Sequence, residues 1–529
     1  MEFDVEIRNY KCFTDEKPVW IRFRPGFTAF VGTNNAGKSS ILKALYDLRS
    51  LFSSLLHPAS VASAVVGKGQ FEHRNNLLRE SDERVLTRLN NRPLEVAIRV
   101  RGSDTPTGEG PLVDEVVVRL PRDRYSNGSA ILRSDGSDVP SSVLTPFVEA
   151  LQRDGGARPT IDVGRICAAC KELSACMFIG PFRNALNLEP KEGYYDINVG
   201  TGFIKSWHRL KNHPDTLGNA AASRVAADIA RVFRLQRLDI NASADGRTLM
   251  VYRDGVGHTL EELGSGLAQF ILALANAAIR QPSYLLVDEP ELNLHPSLQI
   301  DFLTTLASYA SSGVLFATHS IGLARTAETI YSVRQGTDGA SEIRPFDDTV
   351  GLPELLGEMS FAGYRDLGFK TVLLVEGPTD VRTMQQFLRM WRKDHNVVTL
   401  SLGGSSMINP RRANELAEVT RIADRVVAVI DSEREHEEAP VPGDREGFAR
   451  VCEDLKIRCH VLRRRALENY LTDRAVKSVK GDKYRALAEH ERLRDTNPAW
   501  SKAENWRIAY EMKPGDVKGT DLHEILESL

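Results

Sequence analysis

The 529-residue chain lacks any long apolar run. Stretches such as Phe270–Ile279 and Tyr284–Val287 fall far short of the ~20 residues needed to cross a bilayer, so no membrane span is expected. The opening Met1-Glu-Phe-Asp-Val-Glu-Ile-Arg8 has neither the basic start nor the apolar core of a secretory signal, which points to the cytoplasm rather than export. Six cysteines are too few for a disulfide scaffold, and reduced thiols are expected. No sign of charge dominates: 68 Lys+Arg against 71 Asp+Glu leave a net −3, so any polyanion site must be local. Repeats at solenoid spacing and long heptad arms are also missing, which excludes a solenoid or a coiled-coil rod.

With 42% hydrophobic and 26% charged residues, the composition is that of an ordinary globular protein, and the length suits two to four domains. The first residues read as strands Val5–Asn9, Val19–Phe23 and Thr28–Val31, a glycine loop Gly32–Ser39 and a helix Ser40–Leu48. Gly/Ser/Asp/Pro clusters between about residues 52 and 165 break up strand-like pieces and suggest a strand-rich insertion. A helical segment lies within about 190–235, and Leu260 to Ser320 alternates helices with buried strands, the pattern of a largely parallel α/β sheet. Tyr331–Ile343 reads as a closing hairpin and 351–370 as a helical linker. A second α/β rhythm starts at Thr371, so the expected division is 1–350, linker, and 371–529.

Gly32-Thr-Asn-Asn-Ala-Gly37-Lys38-Ser39 satisfies G-x-x-x-x-G-K-[ST] between a strand and a helix, the context that motif requires. Loop N–H groups would cradle ATP phosphates, Lys38 would reach the β/γ oxygens, and the Ser39 hydroxyl would ligate Mg²⁺, with Asn35, Gly37 and Ser40 alongside. The apolar strand ending in Asp288-Glu289 supplies a second metal-binding carboxylate and a general base for water. His319, after Val314–Thr318, is placed to meet a γ-phosphate, and Ser265 stands in a Gly-Ser-Gly turn opening a helix, where anions bind.

The second half delivers carboxylates at strand ends. Thr371–Val375 leads to Glu376 and to Asp380 at a helix start, while Val426–Ile430 leads to Asp431 and Glu433. In open α/β sheets ligands gather beyond the carboxyl ends of strands, and this hard-oxygen set suits Mg²⁺, with Mn²⁺ or Ca²⁺ as alternatives. Arg463–Arg465 is a basic run next to Glu468, and Lys513 and Lys518 are candidate transition-state lysines. Cys167, Cys170 and Cys176 lie in an apolar helical stretch without finger spacing, which argues against zinc.

Ile7–Phe13, Gly32–Ser39, Leu263–Gly266, Asp288–Glu291 with Leu294–Pro296, and Thr318–Ser320 together resemble the ABC-type ATPase head of the RecF/SMC/OLD branch. The Glu376-Gly377 and Asp431-Ser-Glu433 strand ends resemble a Toprim domain, and Leu467–Tyr470 a late Toprim motif. An ATPase head followed by a Toprim domain resembles the OLD (overcoming lysogenization defect) nuclease family, including Gabija-like and retron-associated antiphage effectors. The resemblance implies a homodimer or higher oligomer in which Ser265 meets nucleotide on a second copy. It also implies a metal-dependent DNA endonuclease, a DNA substrate, and a companion helicase or reverse transcriptase. The competing expectation is a sensor or scaffold ATPase whose Toprim part acts on RNA, as PARIS-like proteins resemble, or a RecF-like repair ATPase.

Overall fold

A computed structural model describes residues 1–32, 35–66, 85–101, 112–122, 128–152, 161–181, 193–212, 216–243, 247–292, 294–345, 371–394, 396–402, 416 and 425–529. The linker 351–370 lies outside these residues.

Strands Phe3–Arg8 and Val19–Phe23 pair antiparallel. The next strand, Gly26–Val31, does not join them; it enters a second sheet after Pro25 and Gly26, the latter at φ 116°, turn the chain. Leu94–Val100, Glu115–Leu120, Ser129–Ser134 and Ser137–Asp138 extend the first sheet, each antiparallel to its neighbour. The strand-rich stretch expected as an insertion therefore completes the N-terminal sheet. Its period-two pattern dictates this: Leu94, Val96, Ile98 and Val100 are buried on one face, while Glu95, Ala97 and Arg99 between them are more exposed.

The second sheet runs Ser341–Pro345, Thr329–Gln335, Gly26–Val31, Gly313–Thr318, Tyr284–Asp288, Met177–Ile179, parallel except for the first pair. Its central strands are buried along their whole length, as a sheet covered on both faces requires. One apolar core fills the space between the two sheets, with Phe3 stacked on Phe23 at 4.9 Å and Tyr284 edge-on to Phe23 at 5.1 Å. A second core covers the opposite face beneath helices Gly200–Lys211, Thr216–Val232 and Ser265–Arg280.

The C-terminal half holds a four-stranded parallel sheet, ordered Val397–Ser401, Thr371–Val375, Arg425–Ile430, Arg458–Val461, with an apolar core on each face. It does not hang free of the first half. Trp506 is part of the core under the second sheet and meets Phe27 edge-on at 6.3 Å. The fully buried Arg382 lies over the Phe27 ring at 4.3 Å and forms a two-pronged ion pair with Glu328, whose carboxylate also accepts the Phe27 N–H. Arg389 makes a second buried ion pair across the same junction, with Asp301.

Helix Gly164–Ser174 carries Cys167 and Cys170, and Cys176 follows it; burial pushes all three thiols up, Cys167 to about 11 and Cys176 to about 12. They behave as small apolar core groups. Among the described residues no helix is long and apolar enough to cross a membrane.

Candidate functional site

At the head of the second sheet, strand Gly26–Val31 runs into the glycine loop and helix Lys38–Asp47 leaves it. The backbone there admits only glycine at two places. A Cβ on Gly32 would sit 2.1 Å from the Val333 carbonyl oxygen, and Gly37 adopts φ 107° against Ser341 and Cys12. Asn35 is exposed at φ 63° on the loop, and Ser40 is half-buried on the helix. Lys38 is buried, and its Nζ donates to the Gly32 carbonyl at 2.9 Å. Burial pulls its ammonium down, against the opposing pull of Glu289, Asp288 and Glu291.

Parallel pairing of Tyr284–Asp288 with Gly313–Thr318, and of the latter with the phosphate-loop strand, brings three strand ends together. The Ser39 hydroxyl donates to Asp288 Oδ1 at 2.9 Å, which joins two groups that motif spacing assigns to one Mg²⁺. Burial pushes the Asp288 carboxyl up to about 6, with the Ser39 bond opposing. Glu289 follows in the left-handed region at φ 51°, a strained setting that turns its side chain out of the strand register. His319 Nε2 lies 4.0 Å from Glu289 Oε1, and the His319 N–H donates to Glu291 at 2.7 Å. Burial, with Lys38 nearby, lowers the His319 pKa and favours the neutral ring. The glycine cradle, the buried lysine and the paired hydroxyl and carboxylate fit a nucleoside triphosphate with its Mg²⁺. Ser265 is exposed as the first residue of helix Ser265–Arg280, facing away from the chain's own core.

The second site forms at the C-terminal ends of the parallel strands in the other half. Glu376 and Asp431 end adjacent strands, and the Asp431 N–H donates to Glu376 Oε1 at 3.0 Å. Asp380 sits at the start of helix Pro378–Met390, where its carboxylate accepts the Gly377 N–H at 3.0 Å. Glu468 enters on the short 3₁₀ turn Leu467–Tyr470, and the Leu467 N–H donates to Asp431 Oδ1 at 3.0 Å. In that run Glu468 faces the site while its neighbours brace it. Asn469 bonds the carbonyls of Ala488 and Glu491, and the Tyr470 hydroxyl donates to Asp521.

All four carboxylates are buried, and for Glu376, Asp380 and Asp431 burial raises the pKa. Burial pushes Glu376 up to about 7 despite Arg445 at 3.6 Å. Burial brings Asp380 to about 6 against the pull of Lys502, while Asp431 is pushed well up by burial and by Asp380 and Glu376. Lys502 is the central cation. Its Nζ lies 2.8 Å from Glu468 Oε1 and 3.9 Å from Asp431 Oδ2; burial would pull it down, but Glu468, Asp431 and Asp380 push it well up. Glu468 Oε2 is buried with no hydrogen-bond partner. An oxygen-only donor set with an orphaned carboxylate oxygen fits a hard divalent cation. Among the described residues, however, no three His, Cys, Asp or Glu side chains already close on one metal position, and Lys502 holds the cluster together.

Several expected site residues lie elsewhere. Glu433, expected in one cation-binding set with Asp431, does not share its direction: the strand ends at Ile430, Glu433 sits at φ 54°, and its carboxylate is ion-paired with Arg465. The Arg463–Arg465 run is mostly structural for the same reason. Arg465 is buried, Arg464 pairs with Glu489 and lies over the Tyr470 ring, and only Arg463 is largely exposed. Lys513 lines a separate cavity and Lys518 is exposed on the turn before the last helix, so Lys502 is the lysine that reaches the carboxylates. Its only sequence cue is the Ser501-x-x-Glu504 capping box that fixes its turn.

Two segments match family models. Residues 1–84 match the AAA ATPase domain, and residues 194–325 match "AAA domain, putative AbiEii toxin, Type IV TA system". No curated protein matches the chain. Similar solved structures include an SMC head bound to the C-terminal winged-helix domain of ScpA, at 17% identity and TM-score 0.39 over 65% of this chain and 97% of that one. The SMC head domain from Thermotoga maritima, at 17% identity and TM-score 0.33, covers 65% of this chain and 98% of its own. A Pyrococcus furiosus SMC head with extended coiled coil, bound to the C-terminal domain of ScpA, gives 14% identity and TM-score 0.35 over 65% and 96%. The chain thus carries an ATPase domain of the AAA type, with nucleotide and typically Mg²⁺ as its cofactors.

Proposed function

We propose that this chain is an ATP-regulated, divalent-metal-dependent DNA endonuclease of the OLD type, acting in prokaryotic antiphage defence, with residues 371–529 as a Toprim nuclease domain. The observation that carries this reading is the buried convergence of Glu376, Asp380, Asp431 and Glu468 around Lys502 at the ends of parallel strands. Bound there, Mg²⁺ or Mn²⁺ supplies an activated water and charge stabilisation for phosphodiester cleavage. Glu376, Asp431 and Glu468 hold the cation, Asp380 sets the charge around it, and Lys502 neutralises a substrate phosphate. ATP bound by Lys38, Ser39 and Asp288 sets how two copies meet, with the exposed Ser265 reaching nucleotide on the second head.

The test incubates purified protein with plasmid DNA and with tRNA, in Mg²⁺ or Mn²⁺, with and without ATP. Wild type is expected to nick or cut the plasmid. Glu376→Ala should reduce cutting on the order of 10²-fold, since metal charge stabilisation is worth several kcal/mol. Intact plasmid in every condition, or equal cutting by Glu376→Ala, rejects the nuclease reading; cleavage of tRNA alone transfers it to an RNA-directed enzyme.

Metal uptake must also displace protons. Glu376 and Asp380 have raised pKa values, near 7 and 6, so in metal-free protein their ionisation removes stability as pH rises through that range. A cation that replaces the protons restores it. Mg²⁺ is therefore expected to raise the melting midpoint more at about pH 8 than at about pH 5.5, and Glu376→Gln should flatten that difference.

A further inference from the structure

Helix Thr216–Val232 of the first half and helix Pro378–Met390 of the second both line a cavity of about 780 Å³ that shares no lining residue with either site above. Its walls carry Arg231, Arg234, Arg389, Arg392, Arg474 and Lys513. Asp394, Asp301 and Asp516 pair with Arg234, Arg389 and Arg474. Arg231 lies over the Tyr510 ring at 3.6 Å and donates to the Tyr510 carbonyl. Arg392 and Lys513 are exposed, with no acidic partner among the described residues, and Glu511 is the one carboxylate on the lining. The lining is net positive.

A second observation concerns hydrogen bonds rather than charge. Gln386 and Arg389 lie one turn apart on the cavity-facing side of their helix, and Gln386 is 4% exposed. Gln386 Nε2 and Arg389 Nε and Nη1 are buried donors with no hydrogen-bond partner. Buried donors left unmet are costly and call for an acceptor. Burial pulls Arg389 down to about 10, so it keeps its charge at neutral pH. The lining therefore offers donors in excess, several of them planar guanidinium forks, and these match phosphate oxygens. Leu235, Met390 and Met512 add an apolar wall, and the volume falls within the range typical of small-molecule sites, about 300–1,000 Å³.

We propose that this cavity is a second anion site, separate from the phosphate loop, that takes a small organic molecule bearing two or more phosphate groups. The ligand bridges the two halves, because Arg231 and Arg234 come from one and Arg389, Arg392, Arg474 and Lys513 from the other. A nucleic-acid strand is the less suitable occupant, since the lining offers no free aromatic face for base stacking: Tyr510, its one aromatic residue, is already covered by Arg231.

The test uses full-length Lys38→Ala protein, in which the phosphate loop is disabled, titrated with tripolyphosphate in an isothermal calorimeter. Saturable binding is expected, with inorganic phosphate weaker. Adding Arg392→Gln and Lys513→Gln should weaken it by at least about tenfold while the melting midpoint stays put, since both side chains are exposed. Gln386→Leu provides an independent check from the buried wall and should weaken binding as well. No saturable binding in Lys38→Ala protein, or equal affinity in the Arg392→Gln/Lys513→Gln variant, overturns the proposal. Binding of a single-stranded oligonucleotide at this face that tripolyphosphate fails to displace overturns it too.

Discussion

Glu289→Gln is expected to slow ATP hydrolysis by about 10²–10⁴-fold while ATP binding persists. The amide is isosteric, so the strained φ of 51° is no harder to hold, but it has no lone-pair charge with which to take a proton from water. Lys38, Ser39 and the Asp288 carboxylate remain, and these are the groups placed to grip phosphate and metal. His319 does not replace the base. Its ring is 4.0 Å from Glu289, and burial favours its neutral form, which suits a hydrogen bond to phosphate. Steady-state phosphate release, set beside fluorescent-nucleotide binding, checks both halves of the expectation. Hydrolysis within about tenfold of wild type would move the base elsewhere.

Arg382→Ala is expected to destabilise the protein by about 3–5 kcal/mol, the usual cost of removing one partner of a buried ion pair. For a 529-residue chain unfolding as one unit that is roughly 3–5 °C in melting midpoint. Arg382 is fully buried, its guanidinium spans both oxygens of Glu328, and its flat face covers Phe27. Alanine leaves the Glu328 carboxylate facing an apolar space and opens a void beside the ring. Arg382→Met combined with Glu328→Gln should recover much of the loss, because an apolar side chain of similar length refills the space and no charge is stranded. Differential scanning fluorimetry on the three proteins tests this; equal midpoints for Arg382→Ala and wild type would mean that the pair carries no net weight.

The phosphate loop was legible in the sequence because its chemistry constrains consecutive residues. Gly32, Gly37, Lys38 and Ser39 each have a local reason to be what they are. Asp288 and Glu376 were legible for a related reason, since a wholly apolar strand that stops at a carboxylate leaves few alternatives. Tertiary contacts decide the remainder. Asp431 and Glu433 look equivalent at i and i+2, yet the chain leaves the strand after Ile430 and Arg465 captures Glu433. The Ser501-x-x-Glu504 capping box around Lys502 marks a turn and not a site; only the meeting of that turn with Glu468 and Asp431 gives the lysine a role. The strands between residues 94 and 138 are marked as strands by their own pattern, but their pairing with the N-terminal strand Phe3–Arg8 is a long-range contact that spacing does not encode.

The junction at Phe27 bears on how this polypeptide can be taken apart. Trp506 is contributed by the last stretch of the chain but is packed into the core beneath the N-terminal half's own sheet. A truncated fragment that keeps only the ATPase half would inherit an indole-shaped hole and an unmatched Glu328, and would present an oily face to solvent. Expression of the halves as separate polypeptides is therefore a route to aggregation. Swapping the C-terminal half with that of a relative would succeed only if the incoming half supplied equivalents of Arg382 and Trp506 to meet Glu328 and Phe27.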